Sequence, residues 1–206
     1  TLVKLKVVEK PPCLAACGEA DVFLVPATLR PETMYGQTNC YVLPSGDYGA
    51  FRQASGQIFV MSKRAAIGLA HQGAFTSRDD GPDDFWGYSK EWGACDQVGA
   101  LFKGSDLIGC PLKAPLATYE VVYTLPLTTI FMVKGTGVVT SVPSDAPDDW
   151  IALHELKTDA KLRAKYSLEE RHVNFAVVPI INITVEASGE GKAKKKAWAS
   201  DKAAEY

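Results

Sequence analysis

The sequence predicts an α+β protein in which a β-barrel core is decorated by helices. Three observations lead to this fold class. Runs rich in β-branched and aromatic residues recur along the 206 residues, helical patterns interrupt them at two places, and the two do not alternate like the βαβ units of a parallel sheet. With 47% hydrophobic residues, the chain has enough apolar material for one sizeable core. We therefore expect a single elaborated domain whose sheet is closed or nearly closed.

The individual elements follow from local periodicity and from the turn residues that bound them. Strands are predicted at residues 2–8, 22–26, 39–43, 57–61, 120–125, 129–133, 137–142 and 175–184. The run Ser62–His71 predicts a helix directly after a strand. A longer helix is predicted from Pro147 to about Tyr166, because apolar residues recur there at helical spacing, namely Ile151, Leu153, Leu156 and Leu162.

Two segments lack this periodicity. The stretch Phe75–Gly99 contains an acidic run and two tryptophans, and it is predicted to be a long surface loop. Residues 187–206 are rich in Ala, Lys, Gly and Glu, so we divide the chain into a domain at 1–186 and a lysine- and alanine-rich appendage at 187–206. The basic run 192–196 in that appendage is an alternative site for contact with RNA. The chain starts without Met and directly in a strand-like run, which favours a segment of a longer polypeptide.

Composition argues against several classes of protein. The formal charge of −2 disfavours a protein that grips duplex nucleic acid alone, because phosphate neutralisation supplies most non-specific affinity. A nucleic-acid substrate must then be held largely by something else. The five cysteines form no paired zinc knuckles, so we expect reduced thiols in the cytoplasm and no metal. No apolar run approaches the roughly 20 residues that span a bilayer, so no membrane partner is expected.

The first segment with chemical potential is Pro26–Asn39, which follows a predicted strand and concentrates hydroxyl groups in a turn-like stretch. Thr28 and Thr33 lie within it. Hydroxyls at strand ends commonly bind local backbone groups, and this structural role alone would explain either threonine.

The second segment is Lys134–Trp150, in which a strand passes through a proline-bounded turn into a helix. Asp148 and Asp149 lie in the first turn of that helix. Acids at this position complement the exposed backbone N–H groups by about 0.3 to 1 kcal/mol each. Taken alone, this electrostatic role is the better explanation of both acids.

Together, the two segments resemble the inserted editing domain of leucyl-, isoleucyl- and valyl-tRNA synthetases. They occur in the family's order, and Pro111–Leu116 and Arg163–Tyr166 extend the match, which runs from about Leu2 to Ile183. Isoleucyl enzymes typically have Trp-Thr-Leu-Pro in the first motif, which is absent here, and valyl enzymes continue differently after Arg-Pro-Glu-Thr. The resemblance is therefore to leucyl enzymes of the eukaryotic or archaeal cytosolic type, and it implies the editing-domain fold.

The resemblance implies a hydrolase that cleaves a wrong amino acid from the terminal adenosine of tRNA(Leu). An aminoacyl ester is already activated, so the site has only to position a water and the carbonyl. Asp149 matches the family's anchor for the amino group, and a helix first turn favours an ionised carboxylate. Thr33 matches the size gate, because a β-branched side chain is stiff. This gate is expected to reject leucine and to admit isoleucine, methionine or norvaline-like side chains.

The remaining site residues are assigned to the reaction centre and to the nucleotide. Thr28 is expected to hold the water or the ester oxygen, with backbone N–H groups near Leu29 and Arg30 as candidate oxyanion donors. Leu29 departs from the threonine common in bacterial leucyl enzymes, so a second hydroxyl is missing there. Asp145 is a second candidate anchor, or a cap or neighbour of Asp149. The Gly135–Thr136 step either lets the backbone approach the terminal adenosine or is merely a tight turn.

No cofactor is implied. H-x-G-H is absent, and Met61–Arg64 only imitates the Lys-Met-Ser-Lys-Ser signature of the activating site, so amino-acid activation is not expected. The implied partners are the terminal adenosine of mischarged tRNA(Leu) and the remainder of a synthetase chain, in the cytoplasm. Two alternatives stay open, the editing domain of a valyl enzyme and a non-catalytic barrel that binds RNA or protein. A free-standing trans-editing hydrolase is a third, which the low charge disfavours.

Overall fold

The computed structural model describes residues 1–53, 55–71 and 96–181, and these form one mixed sheet with helices on it. The strands are β1 (Leu5–Val7), β2 (Val22–Leu24), β3 (Asn39–Val42), β4 (Asp47–Arg52), β5 (Ile58–Met61), β6 (Gln97–Lys103), β7 (Pro111–Lys113), β8 (Val122–Pro126) and β9 (Val138–Ser141). The α-helices are α1 (Lys63–His71), α2 (Pro147–Thr158) and α3 (Ala160–Lys165). Short 3-10 helices lie at Pro12–Cys17, Pro31–Gly36, Gly104–Leu107 and Glu170–His172.

The sheet order is β6-β4-β5-β2-β1-β7-β8-β3-β9. Most pairs are antiparallel, whereas β2 with β5 and β3 with β8 are parallel, which agrees with the predicted α+β class. Of the predicted closed or nearly closed barrel, full closure is wrong, because β6 and β9 end the sheet and do not pair with each other among the described residues.

Hydrogen bonds outside the strand ladder nevertheless bring the two ends of the sheet together. The Ser62 N–H, after β5, donates to the Thr136 carbonyl, before β9, at 2.8 Å. The Tyr48 hydroxyl, on β4, donates to the Gly137 carbonyl at 2.5 Å and accepts the Leu43 N–H at 3.0 Å. The sheet is therefore strongly curved, and turn and side-chain contacts join the parts that strand pairing leaves open.

Three buried clusters hold the fold. The largest lies inside the curved sheet and includes Leu5, Leu24, Val60, Leu112 and Val122. The second packs the alanines of α1 against aromatic residues of the sheet, namely Phe23, Phe51 and Phe59. The third packs α2 against β3 and β8 through Leu153, Leu156, Tyr41 and Leu125. Helices α1 and α2 therefore lie on separate parts of the sheet.

The predicted helix from Pro147 to about Tyr166 is two helices. Asp159 adopts an extended conformation between them, with φ −95° and ψ 99°. Its carboxylate accepts the N–H groups of Lys161 and Leu162, at 2.8 and 3.1 Å, so it is the N-cap of α3. An aspartate that caps a new helix competes with continuation of the old one, and this local bond overrides the apolar periodicity.

Two predicted strands are wrong. Residues 129–133 form a turn, although β-branched residues are frequent there, because no neighbouring strand pairs with them and β-propensity depends on such a partner. Residues 175–181 of the predicted last strand are irregular, and the rest of that strand lies outside the described residues. Conversely, β4, β6 and β7 were not predicted. Gly49 and Gly99 interrupt the patterns of β4 and β6, and β7 has only three residues and starts with proline. Since β6 begins at Gln97, the end of the predicted loop Phe75–Gly99 is wrong.

The other predictions at the level of elements are confirmed or lie outside the described residues. Strand β3 and helix α1 agree closely with the predicted bounds. Most of the predicted loop Phe75–Gly99, and the whole of the appendage 187–206, lie outside the described residues, so the domain boundary at 186 remains a prediction. None of the helices described is long and apolar enough to cross a membrane.

Candidate functional site

The first segment is a compact hydrogen-bonded unit. Pro31 begins the 3-10 helix Pro31–Gly36, where a missing N–H costs nothing. The Thr28 Oγ1 accepts the Arg30 N–H at 3.1 Å, and the Thr33 hydroxyl donates to the Arg30 carbonyl at 2.8 Å. Arg30 backbone groups thus hold both threonines. Thr33 is only 6% exposed, so its side chain is fixed by packing as well as by this bond.

These bonds refine the predicted oxyanion donors. The Arg30 N–H is engaged by Thr28 and is not free to bind an oxyanion. The Leu29 N–H has no acceptor among the described residues, and the Leu29 side chain is 98% exposed. Of the two predicted N–H donors, Leu29 is therefore the available one.

The second segment places Asp149 at the junction of β9 and α2. Pro147 begins α2, and Ala146 is its N-cap without any side-chain hydrogen bond, so Asp145 does not cap the helix. The Asp149 Oδ2 accepts the Val142 N–H at 2.8 Å. Its Oδ1 has no partner among the described residues. One carboxylate oxygen is thus fixed to the end of β9, and the other is available.

Burial dominates the electrostatics of this carboxyl group. Together with the smaller effect of the neighbouring Asp148 and Asp145, it raises the pKa of Asp149 from 3.8 to about 6, although the hydrogen bond from the Val142 N–H lowers the pKa. The first-turn position was expected to favour the charged form, so burial outweighs the helix dipole. Nothing cationic among the described residues pairs with Asp149. The group is a partly buried acid that lacks a positive partner.

The fold brings the two segments together. The Arg30 guanidinium forms an ion pair with Asp145, 115 positions further along the chain. Gly36 lies directly against the second segment: a Cβ there would stand 2.8 Å from Ser144 Oγ and 3.0 Å from Val142 Cγ1. The close approach therefore requires glycine at position 36.

Not every predicted residue joins this contact. No hydrogen bond or ion pair links Asp149 directly to Thr28 or Thr33 within the described part of the chain. Gly135 and Thr136 lie beside α1 instead: the Arg64 guanidinium donates to the Gly135 carbonyl at 2.6 Å, and Thr136 accepts from Ser62. Gly135 has φ +58°, a conformation that favours glycine and is typical of a tight turn, and the predicted approach of the terminal adenosine to this step stays a prediction.

A pocket of about 520 Å³ opens at this second location. It lies between α1, the start of the chain and the turn before β9. Its lining includes Ala27, Arg64, Gly68, Gly135 and Thr136, but not Asp149 or Thr33. Because Ala27 directly precedes Thr28, the pocket reaches the first segment at Ala27.

Sequence reasoning missed the buried polar residues that support Asp149. The Tyr41 hydroxyl, on β3, donates to the Asp149 carbonyl at 3.1 Å, and Tyr41 is fully buried. Burial raises its pKa, whereas the neighbouring Ser141 and Asn39 lower it. Polar residues 37–39 at the start of a buried strand were the available signal. Gln37 Oε1 and Ser144 Oγ are buried and have no hydrogen-bond partner among the described residues.

The metal-ligating and thiol side chains of the described residues are spread over the fold. Residues 1–53, 55–71 and 96–181 contain no group of three His, Cys, Asp or Glu side chains placed to hold a metal ion. Four cysteines in these ranges are free thiols. Burial raises the pKa of Cys13 to about 11 and that of Cys40 to about 12, so neither is a thiolate nucleophile near neutral pH.

Sequence comparison points to one group of proteins, although no protein-family model matches the chain. The cytoplasmic leucine–tRNA ligase of Dictyostelium discoideum is 49% identical over 187 residues. The alignment covers 89% of this chain but only 16% of the relative, so the chain spans about a sixth of the relative's length. The word cytoplasmic in that name agrees with the predicted location.

Structural comparison narrows the match to one part of such enzymes. The crystal structure of GlLeuRS-CP1 is 33% identical, with a TM-score of 0.72, and the match covers 86% of this chain and 71% of that one. The P. knowlesi cytosolic leucyl-tRNA synthetase editing domain has the same fold, with a TM-score of 0.72 at 22% identity and coverage of 86% and 68%. The predicted resemblance and its fold are therefore confirmed.

Proposed function

We propose, from the premise that this chain belongs to the editing (CP1) domains of the leucyl-tRNA synthetase family, that it hydrolyses wrongly charged tRNA(Leu). The bond cleaved is the ester between a non-cognate amino acid and the terminal adenosine. Isoleucine, methionine and norvaline-like amino acids are the substrates, and leucine is rejected. The observation that carries the proposal is the Asp149 carboxylate, which has one oxygen fixed, one oxygen available and no cation of its own.

Asp149 binds the α-ammonium group of the attached amino acid. A partly buried carboxylate whose pKa is raised to about 6 is unfavourable when charged and alone. An ammonium group that enters the site offsets this cost and lowers the pKa again. Arg30 does not compete, because it pairs with Asp145. Asp145 therefore keeps the arginine away from the anchor and leaves the anchoring role to Asp149.

Thr28 serves the hydrolytic step. A water oxygen attacks the ester carbonyl carbon, the carbon–oxygen bond to the ribose breaks, and the ribose oxygen takes up a proton. The Thr28 Oγ1 already accepts the Arg30 N–H, so its own O–H is left to donate to the water or the ester oxygen. The free N–H of Leu29 is the candidate donor to the oxyanion.

Thr33 is the size gate. Its hydroxyl is tied to the Arg30 carbonyl and its side chain is almost fully buried, so the position of its methyl group is fixed. Leucine and isoleucine have equal volume and differ only in where they branch. A rigid wall separates them by steric clash, whereas a soft apolar pocket discriminates by only about 1 to 3 kcal/mol.

The nucleotide lies against Gly135 and Thr136. The pocket that these two residues line, together with Ala27 next to Thr28, has room for the terminal nucleoside. The remainder of a cytoplasmic synthetase chain supplies the rest of the tRNA-binding surface, which is consistent with a fragment whose net charge is −2.

The test is deacylation of isoleucyl-tRNA(Leu) and leucyl-tRNA(Leu) labelled on the amino acid. The chain is expected to release isoleucine and not leucine, Asp149→Ala to release neither, and Thr33→Ala to release both. Asp148→Ala, which removes an exposed neighbouring carboxylate, is the matched control and should behave like the parent. Equal rates in all four proteins, or no hydrolysis by the parent, would favour the non-catalytic barrel instead.

A further inference from the structure

The turn between β8 and β9 carries an unusual exposed surface. Phe131 is 73% exposed and Val133 is 78% exposed, whereas Met132 between them points inward and packs over Gly46 and Gly137. Met132 thus anchors the turn, and its two neighbours project into solvent. Two large apolar side chains held in this way form a surface patch rather than a loosely packed core.

Three cationic residues lie on or next to this turn. Arg64, at the start of α1, donates to the Met132 carbonyl at 3.4 Å and to the Gly135 carbonyl at 2.6 Å, which fixes α1 against the turn. Lys63 and Lys134 are exposed, and neither has a carboxylate partner among residues 1–53, 55–71 and 96–181. We call Lys63, Arg64, Phe131, Val133 and Lys134 the basic face.

The sequence around the basic face contains no acid. Neither residues 53–71 nor residues 121–144 include Asp or Glu, although the whole chain has 24 acids against 22 Lys and Arg residues. The local charge is therefore opposite in sign to the net charge. A face with positive side chains, an exposed aromatic ring and no acid in these flanking sequences is complementary to single-stranded nucleic acid, whose phosphates are negative and whose bases stack.

The basic face also lies next to the pocket proposed for the terminal nucleoside. Arg64 belongs to both, Gly135 in the pocket lining directly follows Lys134 of the basic face, and Ala27 in the same lining directly precedes Thr28. A strand whose last nucleoside enters the pocket must leave along one of its rims. The rim formed by α1 and the turn carries Arg64, with Lys63 and Lys134 next to it in the sequence.

We propose that the basic face binds the single-stranded nucleotides that precede the terminal adenosine of the tRNA. Lys63 and Lys134 contact the phosphates, and one base stacks on Phe131. Arg64 keeps the turn in place. This inference rests on the proposed function, because it extends the binding site of the same substrate, and it commits to RNA rather than to a protein partner.

Binding is measured with a fluorescent single-stranded RNA of twelve nucleotides ending in cytidine, cytidine and adenosine, by anisotropy at several salt concentrations. Lys63→Ala combined with Lys134→Ala is expected to reduce the slope of log K against log salt by about 1.4, at roughly 0.7 per phosphate contact in a single strand. Phe131→Ala is expected to weaken binding about tenfold, and Phe131→Leu equally, because leucine cannot stack. Lys113→Ala, which removes an exposed lysine on β7, is the matched control and should change nothing.

Hydrolysis of two substrates separates this inference from the proposed function. The variants should lose activity on isoleucyl-tRNA(Leu) but retain it on 3′-isoleucyl-adenosine, which has no preceding nucleotides. If the parent hydrolyses both substrates while the lysine double variant binds RNA and deacylates tRNA like the parent, the basic face is not an RNA site. If Phe131→Leu keeps the function of the parent whereas Phe131→Ala loses it, an apolar contact with a protein partner is indicated. That result would also overturn the proposed RNA site. If the parent hydrolyses neither substrate, the proposed function fails, and the anisotropy result still decides the basic face.

Discussion

Replacing Asp149 with asparagine is expected to make the folded chain more stable at neutral pH. The carboxylate is partly buried, its pKa is raised to about 6, and no cation pairs with it within the described residues. Asparagine has nearly the same shape and retains an oxygen that can accept the Val142 N–H. The substitution therefore removes an unfavourable charge and keeps the hydrogen bond.

The size of the effect follows from the difference between the two pKa values of Asp149. About 6 in the folded chain against 3.8 ordinarily is a difference of about 2 units, which corresponds to about 3 kcal/mol as an upper bound. The folded state binds the proton more tightly than the unfolded state. The contribution of Asp149 to the free energy of unfolding is therefore highest below pH 4. It falls as the pH rises to about 6 and is constant above that pH. Asp149→Asn should flatten this fall and gain about 1 to 3 kcal/mol at pH 8.

The measurement is urea unfolding at intervals from pH 4 to pH 8, followed by tryptophan fluorescence. Asp148→Asn is the control, because it removes the charge of the residue next to Asp149, and the Asp148 side chain is exposed. If the parent and Asp149→Asn differ by the same free energy at every pH, or if the variant is the less stable protein at pH 8, the buried-charge argument is wrong. The same variant should not release isoleucine from tRNA, because a neutral amide cannot pair with an ammonium group.

Two further changes test how Asp149 is positioned. Tyr41→Phe removes the hydroxyl that donates to the Asp149 carbonyl, so it should cost about 0.5 to 1.5 kcal/mol of stability and raise KM for isoleucyl-tRNA(Leu). The control is Tyr119→Phe, which removes a comparable hydrogen bond to the Ala176 carbonyl and should reduce stability without a change in KM. Gly36→Ala should destabilise the chain by about 1 to 3 kcal/mol and reduce deacylation, because its Cβ would meet Ser144 Oγ at 2.8 Å and Ile180 Cγ2 at 2.7 Å. Gly68→Ala on α1, where a Cβ meets nothing within 4 Å, should instead be neutral or slightly stabilising in thermal unfolding, and the reasoning fails if the two alanines behave alike.

The sequence predicted the site segments better than it predicted the sheet. Pro31, Pro147 and the acids after it are local signals, because proline restricts its own backbone and first-turn acids complement nearby N–H groups. The start of α2 was therefore predicted at Pro147, where the structure has it; the start of α1, which has neither signal, was predicted within one residue. Helix α2 ends early because Asp159 caps a new helix, a choice that periodicity alone does not reveal.

Long-range features were not predictable from one sequence. Strands β4 and β6 contain glycine and form because each finds a partner, whereas residues 129–133 have β-branched side chains and form none. The Arg30 to Asp145 ion pair and the Tyr41 support of Asp149 depend on which strands become neighbours. Burial of Asp149 reversed the expected direction of its pKa for the same reason, since exposure is a property of the whole fold.

The ion pair between Arg30 and Asp145 joins residues that are 115 positions apart in the chain. Closing so long a loop costs entropy before any contact forms, and the parallel pairs β2 with β5 and β3 with β8 add further non-local closures. The two segments therefore meet late during refolding, after most helix and strand structure has formed. Hydrolytic activity should consequently return more slowly than circular dichroism after dilution from urea, and partly folded chains should leave aminoacyl-tRNA intact.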